Sequence, residues 1–439
     1  MTKTLSHFFL LISVACVFAV SVNARTWTSA NGAKTFQGEL KSYDVASGKV
    51  TVTKPNGRHM TFKQDKLSAD DVTWLKENGG SELSASQPSK IDEIKSYCLD
   101  FNWGGRRRFA KPGSWSNADP AEHVAWYKAM GVNVIQTFAV SCNGYAWYKN
   151  GVVPEQPGLK HDFLPEMVKL GHKEGMLVMG YFCISANPKW AKDHPELSYG
   201  APATYHIPYT DEYLAYLTAS ISDAVNKTGI DGFMIDWLWQ PKRQSTKGKW
   251  LDCEKKLYQQ LMDEPFPGEG KLTPKQDLAY SRKAIDRCWK AIRKAAKDAN
   301  PKCIVWVTTN HMNHPHVVDS DMYKEVDWLM NESGDMKRIH AVKSMIGKNT
   351  RLITCLAHWN GQDATKVVPD AINAGVGLYG FAKPRTADTG IVPLKKILTR
   401  PVSSLRGDDR NIAVLARAYH GVSAEAERND NGKFVESSK

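Results

Sequence analysis

Beyond residue 94 the chain alternates between short, almost continuous apolar runs and longer stretches whose apolar positions recur every three to four residues. The runs predict strands at 96–103, 132–141, 176–184, 231–238, 303–310, 327–332, 350–358 and 376–382. Strands that apolar throughout are covered on both faces, as in a parallel sheet wrapped by helices. The stretches between them carry helix signals. Asp119 caps and Pro120 opens the first, and Gly131 stops it. A later one sets Leu214, Leu217, Ile221 and Val225 on one stripe and ends at Gly229. Eight such units predict an α/β fold, a (β/α)8 TIM barrel over residues 94–421, with a polar C-terminal tail at 422–439. A doubly wound sheet is the alternative, but no Gly-x-Gly-x-x-Gly or Walker loop follows any strand. No nucleotide or other cofactor is expected.

The pattern over residues 25–77 is different. Lys49-Val50-Thr51-Val52-Thr53 alternates in period two, Pro55-Asn56-Gly57 reads as a turn, and His59-Met60-Thr61-Phe62 alternates again. Ser68 can cap a short helix after Leu67. So short a segment predicts a small SH3-like all-β barrel without room for a catalytic cleft. Residues 78–93 are polar and aperiodic, and read as a linker. Arg25-Thr26-Trp27-Thr28 with Gly32, Val50, Gly57, Leu67-Ser68 and Asp71 resembles the Sla-one homology domain, found at the start of secreted bacterial hydrolases. The resemblance implies that this module binds a protein or a glycan, or acts as a spacer, and does no chemistry.

At the start, Lys3 precedes an apolar core from Phe8 to Val20 that ends in Val22-Asn23-Ala24. This predicts a signal peptide over 1–24, a secreted or periplasmic product and no membrane association after cleavage. Removing it takes Cys16 from the eight cysteines and leaves an odd number without a Cys-x-x-Cys pair. Buried free thiols are therefore expected in place of a disulfide framework or a zinc site. Lysines and arginines exceed acidic residues to give a net charge of +12. The excess is spread out, with Arg106-Arg107-Arg108 its densest point, so no nucleic-acid partner is expected and an anionic carbohydrate is the fairer use of it.

The ends of barrel strands are where chemistry is expected, because the loops there converge on the barrel axis. Asp236 follows Phe233-Met234-Ile235 at the end of strand four, a carboxylate whose charge must be compensated or used. Glu332 ends strand six. Two carboxylates across a barrel mouth are the minimum for glycoside hydrolysis, one as nucleophile or base and one to protonate the leaving oxygen. Asp335 competes with Glu332 for the second role, although it more naturally caps a helix starting at Met336. Asn102, Trp103, Tyr145, Trp239, Asn310, His311, His358 and Trp359 are candidate sugar contacts, since a pyranose offers C–H faces bordered by hydroxyls. Lys383 and Arg385 close strand eight. His311, His314 and His316 with Asp319 lack the two-histidine helical repeat of a zinc site, and Pro315 interrupts local helix geometry, so no metal is expected.

Asn143-Gly144-Tyr145-Ala146-Trp147-Tyr148, Pro157-Gly158-Leu159, Asp162-Phe163-Leu164 and His194-Pro195-Glu196 resemble the hypothetical glycosyl hydrolases that are distant relatives of α-L-fucosidases. Ile230-Asp231-Gly232-Phe233-Met234-Ile235-Asp236 resembles the fucosidase pattern of an Asp, four residues, then the nucleophilic Asp. The resemblance implies a retaining glycoside hydrolase with Asp236 as nucleophile. It does not assign the acid/base, and the fucosidase-type histidine pair after strand two is missing, so it does not carry fucose specificity with it. A secreted hydrolase of a polysaccharide or glycan is the leading expectation. The alternative is a non-catalytic carbohydrate-binding protein on the same scaffold.

Overall fold

A computed structural model of the chain describes residues 25–44, 48–56, 58–75, 91–105, 108–200, 206–236, 243–309, 314–429 and 433–435. The expected signal peptide at 1–24 and most of the expected linker lie outside the described residues. Two compact units are present, Met1–Ala85 and Ser86–Lys439.

In the first unit, strands Arg25–Thr28, Thr35–Asp44, Lys49–Thr53 and His59–Lys63 form an antiparallel meander in chain order. The predicted barrel is an open four-stranded sheet here, with one isolated bridge between Ser29 and Leu67 returning the chain to the first strand. Ser68 caps helix Ala69–Trp74 by accepting from the Asp71 amide. Asp71 in turn accepts from the Thr28 amide and pairs with Arg25, whose guanidinium lies 4.1 Å from the centre of the Trp74 ring. A handful of apolar side chains around buried Trp27, Val50 and Val52 is the whole core of this unit.

The second unit is the predicted barrel. Its eight parallel strands are Lys95–Leu99, Val134–Gln136, Leu177–Cys183, Gly232–Asp236, Ile304–Thr309, Trp328–Asn331, Arg351–Leu356 and Gly377–Ala382. They pair in chain order and close with strand eight beside strand one. Helices follow each strand and cover the outside. Pro120–Met130 starts on the Asp119 cap and ends at Gly131 in the left-handed region, and Asp211–Thr228 buries Leu214, Leu217, Ile221 and Val225 before Gly229. Strand four lies hard against strand five. A Cβ on Gly232 would stand 2.2 Å from the Ile304 carbonyl oxygen, so the residue after Asp231 has to be glycine.

The seven described cysteines are free thiols, all buried except the half-buried Cys253. The expected polar tail does not simply trail away. Glu427–Arg428 pairs with Phe434–Val435, and the buried Arg417 guanidinium donates to the Ala426 carbonyl at 2.7 Å, so the segment folds back on the last helix, Gly407–Tyr419. A buried guanidinium without acceptors would be far costlier than ordering these few residues. No described helix is long and apolar enough to cross a membrane.

Candidate active site

Side chains alternate along a strand, so residues two apart share a face. On five barrel strands the inward face continues in steps of two into the mouth, ending in a polar residue on four of them: Cys98, Asp100 and Asn102; Gln136 and Phe138; Met234 and Asp236; Met330 and Glu332; Tyr379, Phe381 and Lys383. All of them line one cavity of about 600 Å³ at the strands' C-terminal ends. The mouth is therefore an extension of the barrel's own repeat.

Asp236 is the last residue of strand four, and its carbonyl accepts from the Ile184 amide. Its Oδ2 accepts from the Tyr181 hydroxyl at 2.7 Å, with the Cys142 sulfur 3.2 Å from that same hydroxyl. Burial first and the Asp236 charge second raise the Tyr181 phenol well above its ordinary value. It stays a donor across the working pH range.

Glu332 is the first residue beyond strand six. Its amide donates to the Thr309 carbonyl on strand five, and its carbonyl accepts from Asn360 Nδ2 at 3.1 Å. The backbone is thus held from both sides. Burial of its carboxyl, then the charge of Asp236, raise its pKa to about 8, with the Thr308 hydroxyl opposing and Asp100 adding a smaller push. Asp335 takes the other course. It caps Met336–Val342 by accepting from the Lys337 amide at 2.9 Å and does not line the cavity.

Asp100 is a third carboxylate on this floor. Its Oδ1 accepts from the Asn102 amide at 2.9 Å. Burial raises it to about 7 against that hydrogen bond, with Asp236 adding to the rise and Lys383 opposing it.

Of the predicted sugar contacts, Asn102, Trp103, His358 and Trp359 line the cavity. Asn102 also ties the loop after strand two, because its Oδ1 accepts from the Cys142 amide at 2.8 Å. Tyr145 does not line the cavity: it sits one turn beyond, with its amide on Asn143 Oδ1 and its carbonyl on Gln156. Trp239, Asn310 and His311 lie outside the described residues. Arg385 pairs with Asp409, away from the cavity lining. Sequence reading passed over Asp100, Tyr181 and Asp408. Asp100 carried a signal, since it is two residues from inward-facing Cys98. Tyr181 looks like core within an apolar run, and Asp408 reaches the mouth from a helix that follows strand eight.

His314 and His316 line the cavity with ring centres 4.6 Å apart. Among the described residues no three His, Cys, Asp or Glu side chains are arranged to hold a metal ion. Two carboxylates facing one cavity, one of them held protonated by burial, can deliver and receive a proton, or attack and protonate, at a bond laid between them.

Residues 119–237 match the family described as hypothetical glycosyl hydrolase 6. The segment includes strands two to four and ends one residue past Asp236. No curated protein matches the chain in sequence. Among solved structures it is similar to α-L-fucosidase isoenzyme 2 from Paenibacillus thiaminolyticus, at 14% identity and a TM-score of 0.54 over 75% of this chain and 49% of that one. It thus spans about half the length of that fucosidase. The PgaB (BpsB) glycoside hydrolase domain from Bordetella bronchiseptica gives 13% identity and 0.47, covering 67% of this chain and 94% of that one. A β-galactosidase from Rahnella sp. R3 gives 13% and 0.47, covering 78% and 58%. At these identities what is shared with the fucosidase is the barrel fold.

Proposed function

We propose that the protein is a secreted glycoside hydrolase that cleaves glycosidic bonds in a polysaccharide or glycan by a retaining mechanism. The observation that carries the reading is the pair of carboxylates at the ends of strands four and six, lining one cavity, with a phenol donating to Asp236 and burial holding the proton on Glu332. Asp236, hydrogen-bonded by a phenol that stays protonated, is suited to act as the charged nucleophile. Glu332, which keeps its proton to about pH 8, is suited to give it to the departing oxygen and then, ionised, to draw one from water. The glycosyl hydrolase family match over 119–237 supports glycosidase chemistry, and the apolar leader before Ala24 supports export. An anionic ring in the reacting position finds less support. Asp100, Asp236 and Glu332 gather on the floor, where Lys383 is the lysine of the lining.

A general acid matters most when the leaving group is poor. Glu332→Ala should cut hydrolysis of a natural glycan by roughly 10²–10⁴-fold and that of a dinitrophenyl glycoside far less, with azide restoring turnover on the activated substrate. Equal loss on both would remove Glu332 from the acid role. Glycan binding undiminished by loss of either carboxylate, with no hydrolysis in the native protein, would make this a binding protein.

A further inference from the structure

The cavity is graded from floor to mouth. Asp100 on the floor is 6% exposed, whereas Trp359, lining the same cavity, is 47% exposed. A volume near 600 Å³ falls within the ~300–1,000 Å³ of pockets that enclose drug-sized ligands, more than one sugar ring fills. Single exposed apolar residues are common and need no explanation. Trp359 differs in two ways. Among the described residues it is the one aromatic ring among the exposed large hydrophobics, whereas Trp147, Trp289 and Trp306 are fully buried. Its neighbour His358 is also oriented. His358 Nδ1 lies 2.8 Å from Asp408 Oδ1 in the first turn of Gly407–Tyr419. A carboxylate can only accept, so Nδ1 carries the hydrogen and Nε2 is the nitrogen left to meet a hydroxyl. Asp408 lines the cavity as well.

An exposed indole face beside an imidazole held in one tautomer is what a pyranose requires, a surface for its C–H face and a directed polar group for its rim. We propose that Trp359 and the His358–Asp408 pair form a second sugar subsite at the cavity mouth, so that the substrate is a chain of sugars rather than a single glycosylated ring. The inference rests on the hydrolase reading for what happens at the floor. Its test does not need turnover.

Full-length Asp236→Asn, which leaves a bound chain intact, is titrated with cello-, chito-, manno- and fuco-oligosaccharides of one to four units, and binding is read by isothermal titration calorimetry. At least one ladder should show affinity rising about tenfold from one unit to two or three. Trp359→Ala in the same background should remove that gain, about tenfold in Kd, while leaving the single unit within about twofold. Trp359→Phe, which keeps a stacking face, should restore most of it. His358→Ala should weaken longer members less, with its loss in KM rather than kcat when tested in the native background. No ladder favouring longer members, or a Trp359→Ala loss equal for one unit and three, overturns the subsite. Length preference that depends on Trp359 in a protein whose native form cleaves none of the ladders overturns the hydrolase reading and leaves the subsite standing.

Discussion

One aspartate leads into strand four and another ends it, and the two are handled in opposite ways. At the base, Asp231 is 1% exposed, and its Oδ2 accepts from the Val178 amide and from His172 Nε2, both at 2.8 Å. Asp327, before strand six, repeats the arrangement: its Oδ2 accepts from the Val305 amide at 2.8 Å and from Lys297 Nζ at 3.0 Å. Each stitches the second amide of a neighbouring strand to a basic group on an outer helix. At the mouth the Tyr181 hydroxyl donates to Asp236, and both Asp236 and Asp100 press on Glu332. The carboxylates below are tied into the scaffold, whereas those above face the cavity.

The sharpest way to break this contrast is to neutralise the two aspartates separately. Asp236→Asn should lower kcat by roughly 10³-fold or more with little change in thermal unfolding. An active variant, measured on a substrate the native protein cleaves, would show that the mouth carboxylate is another structural tie. Asp231→Ala should do the reverse. It strands a buried amide and the His172 ring, at a cost of about 2–4 kcal/mol in denaturant unfolding. Below its melting temperature, kcat should stay near native. A fully stable but inactive Asp231→Ala would merge the two ends into one functional unit.

The smallest effect is the most diagnostic of the mouth. Between the ordinary value of 4.5 and about 8, Glu332 holds its proton in the native state and has lost it in the unfolded chain. The native state then binds more protons, and stability falls as pH rises through that window. Glu332→Gln should match the native protein near pH 4 and melt a few degrees higher at pH 8.5, about 1–2 kcal/mol. The native alkaline limb of activity, near pH 8, should be missing from the variant. A melting curve that responds to the substitution equally at both pH values would mean that burial does not hold the proton on this residue.

The barrel was legible because its pattern is coarse. Every predicted strand overlaps the one formed, since a run of apolar residues between helix signals has few other places to go. The largest overshoot is at the mouth, 132–141 against Val134–Gln136, with a smaller one in 350–358 against Arg351–Leu356. Loops there are lined by buried residues such as Phe138, Ala139 and Val140, so hydrophobicity continues after the ladder has ended. Extending strand one to 103 drew attention to Asn102 and Trp103 and past Asp100. Tyr145 lies beyond even the expected end of strand two at 141, and the ladder there ends at Gln136. Asp335 was legible as a cap, because an acidic residue just ahead of a helical stretch has a local partner in the helix's first amides. Tyr181 could not be picked out locally: its role depends on the neighbouring strand's register, which pairs Cys183 with Asp236.

The two-residue repeat that places the site also limits how it can change. A carboxylate moved from Glu332 to Asn331 leaves the lumen for the helix layer, where Asn331 is fully buried and its amide donates to the Asp335 carbonyl. Moved to Met330, it stays in the lumen but sinks roughly 6–7 Å along the axis. Within the ladder of strand six a carboxylate can therefore be moved inside the lumen only in even steps, and single-residue insertions or deletions above that ladder would scramble the floor while leaving the base intact. A designer re-tooling this strand has a short set of addresses, each two positions from a residue already facing the cavity.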